Sequence, residues 1–176
     1  MAQNRDKRRE NAATDDLDEH VVFVNRCAKT VKGGRRMSFS AVIVVGDREG
    51  KVGVGFGKAN EVGDAVRKGG EAARRAMRPM CMKGKTIPHE VEGVCDGGRV
   101  MLKPAPDGKG LIVGGGMRPV LEACGIRDCV GKSLGSKNKL NVGKSLGSKN
   151  KLNVVKATLD ALSKLRSAEE IASIRA

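Results

Sequence analysis

Apolar residues alternate with polar residues or glycine in the first half of the chain, which is typical of half-buried β-strands. Strands are predicted at residues 21–31, 37–45 and 51–57. An approximate helical stripe follows at residues 62–77, with Asn60 as its predicted N-cap and Pro79 beyond its end. The pattern therefore predicts an N-terminal domain of three strands and one helix.

The order of elements changes after residues 80–85, which we interpret as a connector. The elements predicted beyond it are a hairpin of residues 86–94 and 99–102, a loop at 103–110, a helix at 117–124, a strand at 126–130 and a helix at 154–165. Asn153 is the predicted N-cap of that last helix, and the sequence from Ser167 to Glu170 resembles a capping box that opens another. We expect an α+β fold with a mobile tail (1–20), an N-terminal RNA-binding domain (21–84) and a C-terminal α/β domain (85–176).

The chain is strongly basic. Its formal net charge is +14, and residues 21–176 alone carry +16. A folded region this basic repels itself unless a polyanion neutralises it. No apolar run is long enough for a membrane span, and the cations do not gather on one amphipathic helix. Nucleic acid is therefore favoured over a membrane as the partner.

Two glycine patterns indicate where a nucleic acid binds. Lys29, Lys32, Arg35 and Arg36 surround Gly33 and Gly34, and glycine lets a cationic backbone approach phosphates closely. Further along, glycines alternate with apolar residues, so that one strand face carries Gly53, Gly55 and Gly57 and the other carries Val52, Val54 and Phe56. We expect the apolar face to pack and the bare glycine face to meet RNA; close packing of a helix or of the second domain against the glycines is the alternative.

Aromatic residues are few, since the chain has no Trp or Tyr and only Phe23, Phe39 and Phe56. A phenylalanine in a strand of period two more often packs in the core than stacks on a base. The chain therefore has few residues with which to bind single strands by base stacking. Recognition of RNA backbone and shape needs only cations and close approach, which this chain has.

Enzymatic chemistry has little support in the sequence. The five cysteines form no CxxC pair, and Cys81, His89 and Cys95 are a weak metal set, so free thiols are expected. The stretch from Gly53 to Lys58 superficially resembles a phosphate-binding loop, but its spacing fits neither the P-loop nor GxGxxG. No cofactor and no small-molecule substrate are expected.

A twelve-residue sequence, GKSLGSKNKLNV, occurs twice in tandem at residues 131–142 and 143–154. A surface loop absorbs such an insertion more easily than a helix, so we expect the earlier copy to bulge as a lysine-rich loop and the later copy to lead into the next helix. Lys132 and Lys144 are the candidates for RNA contact in the two copies. An accidental duplication without a role is the alternative.

Three segments together resemble the bacterial small-subunit ribosomal protein S5 family: VNRCAKTVKGGRRMSFSAVIVVGDREGKVGVGFGKANEV, GGGMRPVLEACGIRDCVGKSLGS and NVVKATLDAL. The resemblance implies an N-terminal domain similar to a double-stranded-RNA-binding fold and a C-terminal α/β domain with an atypical βαβ crossover. It also implies a cytoplasmic place in the small subunit, on its 16S RNA, beside ribosomal proteins four and eight. The tandem repeat and the N-terminal tail depart from the family pattern.

The resemblance completes the set of candidate residues. Arg26, Lys51 and Lys58 join the RNA-binding candidates, while Gly108, Lys109, Gly110 and Arg118 match the region that meets protein four near the entry of messenger RNA. The expected function is non-enzymatic: binding of ribosomal RNA, support of assembly and decoding accuracy, and shaping of the messenger entry site. A free-standing RNA-binding regulator is the alternative.

Overall fold

Two four-stranded sheets, in which most neighbouring strands are antiparallel, form the framework of the molecule. The computed structural model describes residues 17–134 and 150–175, to which all structural statements here refer. The strands of the first sheet are, in spatial order, β1 (Asp18–Val31), β2 (Gly34–Gly46), β3 (Lys51–Ala59) and the short β4 (Arg78–Pro79), and every neighbouring pair is antiparallel. Helix α1 (Val62–Arg75) connects β3 to β4 and packs on one side of this sheet, which we call the helix face. The other side is the outer face.

The second sheet contains the strands β5 (Val91–Cys95), β6 (Gly98–Pro104), β8 (Cys129–Leu134) and β7 (Leu111–Ile112), in that spatial order. β7 and β8 are parallel neighbours joined by helix α2 (Arg118–Cys124), which makes a βαβ unit. Helices α3 (Lys151–Ser163) and α4 (Ala168–Arg175) complete the chain. The predicted α+β class is confirmed, whereas the domain boundary at residue 85 stays a prediction.

Three hairpin turns join consecutive antiparallel strands, and the basic one between β1 and β2 is tighter than expected. β2 already begins at Gly34, so the predicted glycine loop is reduced to a turn of Lys32 and Gly33, with Gly33 at φ +88°. The turn between β5 and β6 has Asp96 at φ +49°, as the Asp-Gly sequence predicted.

Several predicted boundaries are wrong: the strands predicted at 86–94 and 126–130 are Val91–Cys95 and Cys129–Leu134. Three further errors have identifiable reasons. β1 starts at Asp18, because Asp18 and Glu19 of the predicted tail pair along the backbone with Gly46 and Val45. The residue at the N-cap of α1 is Glu61, which makes no side-chain cap bond, and not Asn60. Helix α3 is capped by Asn150, whose Oδ1 accepts from the Leu152 amide at 3.1 Å, so Asn153 lies inside the helix. The capping box is confirmed, since Ser167 and Glu170 exchange hydrogen bonds of 3.1 Å.

The start of the tandem repeat belongs to β8, and its end belongs to α3. The first four residues of the earlier copy, 131–134, form the end of β8 and pair with β6 from Leu102 back to Arg99. The expectation that the whole earlier copy bulges as a loop is therefore wrong, because β8 continues without a break from Cys129 and Val130. The last residues of the later copy start α3. Residues 135–149, which include Lys144, lie outside the described residues, as do residues 1–16 of the tail.

The glycine row of β3 is where α1 approaches the sheet. A Cβ atom built on Gly53, Gly55 or Gly57 would lie 2.2, 2.0 or 1.9 Å from a backbone carbonyl oxygen of α1. Such distances are far below van der Waals contact, so only glycine permits this packing. The prediction that these glycines form a bare face for RNA is wrong, and the alternative of close helix packing is correct. The period-two pattern separates the two faces of a strand but does not say which one the helix covers.

The outer face of the first sheet is partly covered by the C-terminal unit, which consists of the second sheet with α2 and α3. Val44 and Val52 of the first sheet are buried in the same apolar cluster as Leu121 and Leu162 of that unit. The amides of Arg48 and Gly50 donate to the carbonyls of Ala123 and Cys124, both at 3.0 Å. The larger core of the protein therefore runs across the predicted domain boundary.

We expect Gly55→Ala to lower the free energy of unfolding by about 1–3 kcal/mol, because the added methyl group must push α1 away from β3. Gly63→Ala is the matched control: it lies in α1 with no atom within 4 Å of the added Cβ. Replacement of a helical glycine in open space by alanine raises the free energy of unfolding of the protein by about 0.5–1 kcal/mol. Urea denaturation of both variants measures the two effects, and a Gly55→Ala protein as stable as the parent would contradict the packing.

Two buried thiols predict a loss of stability in alkali. Burial raises the pKa of Cys124 to about 12, with a further contribution from the charge of Asp47, and burial raises the pKa of Cys129 to about 11. The unfolded chain loses these protons near the ordinary value of 9.0, so the folded state is favoured below that pH and loses the advantage as the pH rises towards 12. We therefore expect the stability difference between the parent and Cys124→Ala to shrink by about 1–2 kcal/mol from pH 8 to pH 10.5. Urea denaturation at the two pH values measures it; a constant difference would contradict the buried thiol.

Candidate nucleic-acid interface

The β1–β2 hairpin extends beyond the rest of the first sheet. β3 pairs with β2 only from Phe39 to Gly46, so residues 27–31 and 34–38 form a two-stranded extension, which we call the ribbon. At about 3.4 Å per residue, the five residue pairs of the ribbon span about 17 Å. Most of its residues are exposed, and none belongs to either apolar core cluster.

The ribbon and its turn concentrate positive charge. Between Val21 and Gly46 the chain has five cations and no carboxylate: Arg26, Lys29, Lys32, Arg35 and Arg36. All five are exposed. None of them forms an ion pair with any carboxylate in the described part of the chain, whereas Arg48, Arg74 and Arg99 each do.

The strand register places like charges against each other. Lys29 lies directly opposite Arg36 on one face of the hairpin, and directly opposed like charges destabilise a strand pair. Arg35 lies on the other face, opposite Thr30, and Lys32 occupies the turn. Cations on both faces and at the tip are suited to an anionic partner that surrounds the ribbon, such as the phosphates of a folded nucleic acid.

The structure brings only part of the predicted RNA-binding set together. Lys58 lies opposite Ser40 on the outer face, on the same side as Lys29 and Arg36. Lys51 is seven residues away at the other end of β3, which is about 24 Å along the strand. Lys132 is exposed on β8 of the second sheet, opposite Met101. The ribbon and Lys58 thus form one surface, and Lys51 and Lys132 lie on others.

One residue of this surface was missed from the sequence. Phe56 was expected in the core, but it is 52% exposed, whereas Phe23 and Phe39 are half-buried. The signal was present in the alternation: once the glycines of β3 are assigned to the helix face, Phe56 must lie on the outer face, two residues beyond Val54.

The four predicted protein-contact residues cluster at the far end of the molecule. Gly108 and Gly110 have φ values of +84° and +75°, and the Gly110 amide donates to the buried carboxylate of Asp128 at 2.7 Å. Arg118 at the start of α2 donates to the Leu111 carbonyl at 3.1 Å and lies 3.9 Å from Glu122. Lys109 is exposed between the two glycines.

An open cavity of about 440 Å³ lies beside this loop, where the two sheets meet. Its lining includes His20, Arg48, Arg118, Glu122 and Arg127. His20 and the ribbon turn are separated by eleven residues of β1, or about 36 Å. The molecule therefore has two separate candidate surfaces, the ribbon and the loop with Arg118.

Other kinds of site find no support in the part of the chain that the structure describes. No group of three His, Cys, Asp or Glu side chains there could hold a metal ion, so Cys81, His89 and Cys95 are not brought together as a metal set. None of the helices from 17 to 134 or from 150 to 175 is long and apolar enough to cross a membrane.

Two family models match the chain, one for each half and in the order of the two sheets. The family model described as "Ribosomal protein S5, N-terminal domain" matches residues 17–80. The model described as "Ribosomal protein S5, C-terminal domain" matches residues 93–144 and 142–175, two segments that overlap inside the tandem repeat. The small ribosomal subunit protein uS5 of Protochlamydia amoebophila (strain UWE25) is 49% identical over 173 residues, which covers 97% of this chain and 96% of that protein. The chain belongs to the ribosomal protein S5 family.

Proposed function

We propose that this protein is a structural component of the small ribosomal subunit that holds its 16S RNA with the ribbon. Membership in the family makes it a non-enzymatic, cytoplasmic protein of translation. The observation that carries the RNA contact is the charge of the ribbon, its turn and the adjoining Arg26: five exposed cations without an acidic partner among the described residues, two of them directly opposed across the strands. Phosphates remove this repulsion and release counterions when they bind.

The second surface suits a role in decoding. Gly108, Lys109, Gly110 and Arg118 lie at the end of the molecule away from the ribbon, so one protein can hold RNA with one end and meet a neighbouring protein with the other. We propose that this end contacts ribosomal protein four beside the entering messenger RNA, and that ribosomal protein eight is a further neighbour. Through these contacts the protein supports subunit assembly, translational accuracy and the shape of the messenger entry site.

The ribbon is tested by the triple variant Lys32→Ala, Arg35→Ala, Arg36→Ala. We expect weaker binding to a small-subunit ribosomal RNA transcript, with the slope of log affinity against log salt reduced by about two units, since each lost phosphate contact removes roughly 0.7–0.9 of a unit. Filter binding across a range of salt concentrations measures both. Because the ribbon belongs to neither core cluster, the variant keeps the fold.

The control triple removes the same formal charge elsewhere. Arg99, Lys103 and Lys164 each pair with an acid of their own chain, namely Glu92, Glu90 and Asp160. Their replacement by alanine should leave the salt slope close to that of the parent. Equal effects from both triples, or an unchanged slope in the ribbon variant, would contradict the assignment. Sedimentation of cell extract separates the ribosomal role from a free-standing regulator, which would not follow small subunits through a high-salt wash.

The second surface is tested by Arg118→Glu, which should change the frequency of misreading in a reporter assay while subunits still assemble. The new carboxylate faces Glu122 at i+4, where like charges repel by a few tenths of a kcal/mol, so the fold is little affected. Arg118→Lys keeps the charge and is the control. Normal reading by Arg118→Glu subunits would contradict the proposed role, provided that thermal unfolding shows both variants folded.

A further inference from the structure

Phe56 lies at one end of an apolar row on the outer face. In the register of the three long strands, Phe23 lies opposite Val42, and Val42 lies opposite Phe56. Val42 is fully buried between the two rings, Phe23 is half-buried and Phe56 is 52% exposed. With strands about 4.8 Å apart, the row is an apolar strip of about 10 Å, whose accessible surface comes from Phe56 and in part from Phe23. It begins where coverage by the C-terminal unit ends, since Val54 and Val44 of the preceding row pack against that unit.

The surroundings of this row determine what can lie on it. Towards the ribbon the next rows of the outer face hold Asn25, Ser40 and Lys58, then Cys27 and Ser38, then Lys29 with Arg36. No carboxylate occurs in any of these rows. Lys58 is two residues from Phe56 on the same face, or about 7 Å along the strand. An apolar strip continuous with a cationic surface is complementary to a molecule that has a flat aromatic part and an anionic part, as a nucleotide does.

We propose that Phe56 is a stacking platform for one unpaired base of the RNA, with Phe23 two strands away in the same apolar row, and that Lys58 binds the phosphate next to that base. This inference rests on the proposed RNA-binding function and adds a second mode of recognition to it. The ribbon contacts backbone, which is available in paired and unpaired RNA alike, whereas a platform requires a base outside the stack. The occupant is therefore an unpaired nucleotide at the border of a folded region.

A single tryptophan can report the stacking directly, because the chain has no Trp or Tyr. Phe56→Trp keeps a π-face at the site, and we expect its fluorescence to be quenched when the small-subunit RNA transcript is added. Val94→Trp is the matched control, since Val94 is 53% exposed but lies on the second sheet. Its fluorescence should change little. Unquenched Phe56→Trp under conditions where the protein is bound would overturn the proposal.

Phe56→Leu tests the energetic side, because it keeps an apolar side chain but removes the aromatic face. We expect its affinity for the small-subunit RNA transcript to fall on the order of 10-fold, the scale of one base–aromatic stack. The salt slope should stay that of the parent, since no charge is removed, whereas Lys58→Ala should reduce it by about one unit. Affinity for a fully paired RNA duplex should not change in Phe56→Leu.

The outcomes separate this proposal from the function on which it rests. If the ribbon triple variant binds weakly while Phe56→Leu binds RNA as the parent does, the platform is wrong and the proposed function stands. If neither variant affects binding, both are wrong. Equal losses of Phe56→Leu affinity for the transcript and for the duplex would also overturn the platform, because a paired base offers no free face. Urea denaturation confirms that each compared variant is folded.

Discussion

The close contact between β3 and α1 determines which surfaces of this protein are free. The helix backbone lies against Gly53, Gly55 and Gly57 at a distance that no side chain permits, so α1 can pack on only one face of the sheet. The residues that alternate with these glycines along β3 therefore lie on the outer face. Val52 and Val54 enter the core with the C-terminal unit, and Phe56 and Lys58, further along the same strand, are left outside it. The exposure of the proposed RNA-binding residues Phe56 and Lys58 follows from a packing constraint on the opposite side of the same strand.

The C-terminal unit packs closely against the first sheet. A Cβ atom on Gly46 would lie 2.1 Å from the Ala123 carbonyl, and one on Gly125 would lie 2.0 Å from the Arg48 carbonyl. Backbone hydrogen bonds from Arg48 and Gly50 cross the same boundary. Because close-packed interiors transmit displacement, these contacts fix the first sheet against the C-terminal unit, and the ribbon continues the strands of that sheet away from the loop with Arg118. A protein built in this way can set the distance between an RNA segment and a neighbouring protein.

Local patterns of the sequence predicted β1, β2 and β3 of the first sheet, the β5–β6 hairpin, α2 and the capping box, because these depend on residues close in the chain, whereas the short β4 was not predicted. The errors occur where distant residues decide. Asp18 and Glu19 read as a polar tail, yet they pair with β2, and ion pairs with Arg48 and Arg74 hold them there. The face covered by α1, and with it the exposure of Phe56, depends on the tertiary fit of the helix. The five cations of the RNA surface were all predicted, because charge is read from composition, whereas the aromatic member required the fold.

Part of the positive charge on the packed units is compensated by ion pairs, whereas in the described part of the chain the charge of the ribbon is not. Arg48, Arg74, Arg99 and Lys103 lie on or beside the packed units, and each has a carboxylate within ion-pair distance. The cations of the ribbon have none among the described residues, but the ribbon contributes to neither core cluster. Repulsion between Lys29 and Arg36 therefore destabilises only a local hairpin and leaves the rest of the fold intact. Since the same repulsion is removed when phosphates bind, placing it on a separable element favours the bound state without weakening the free protein.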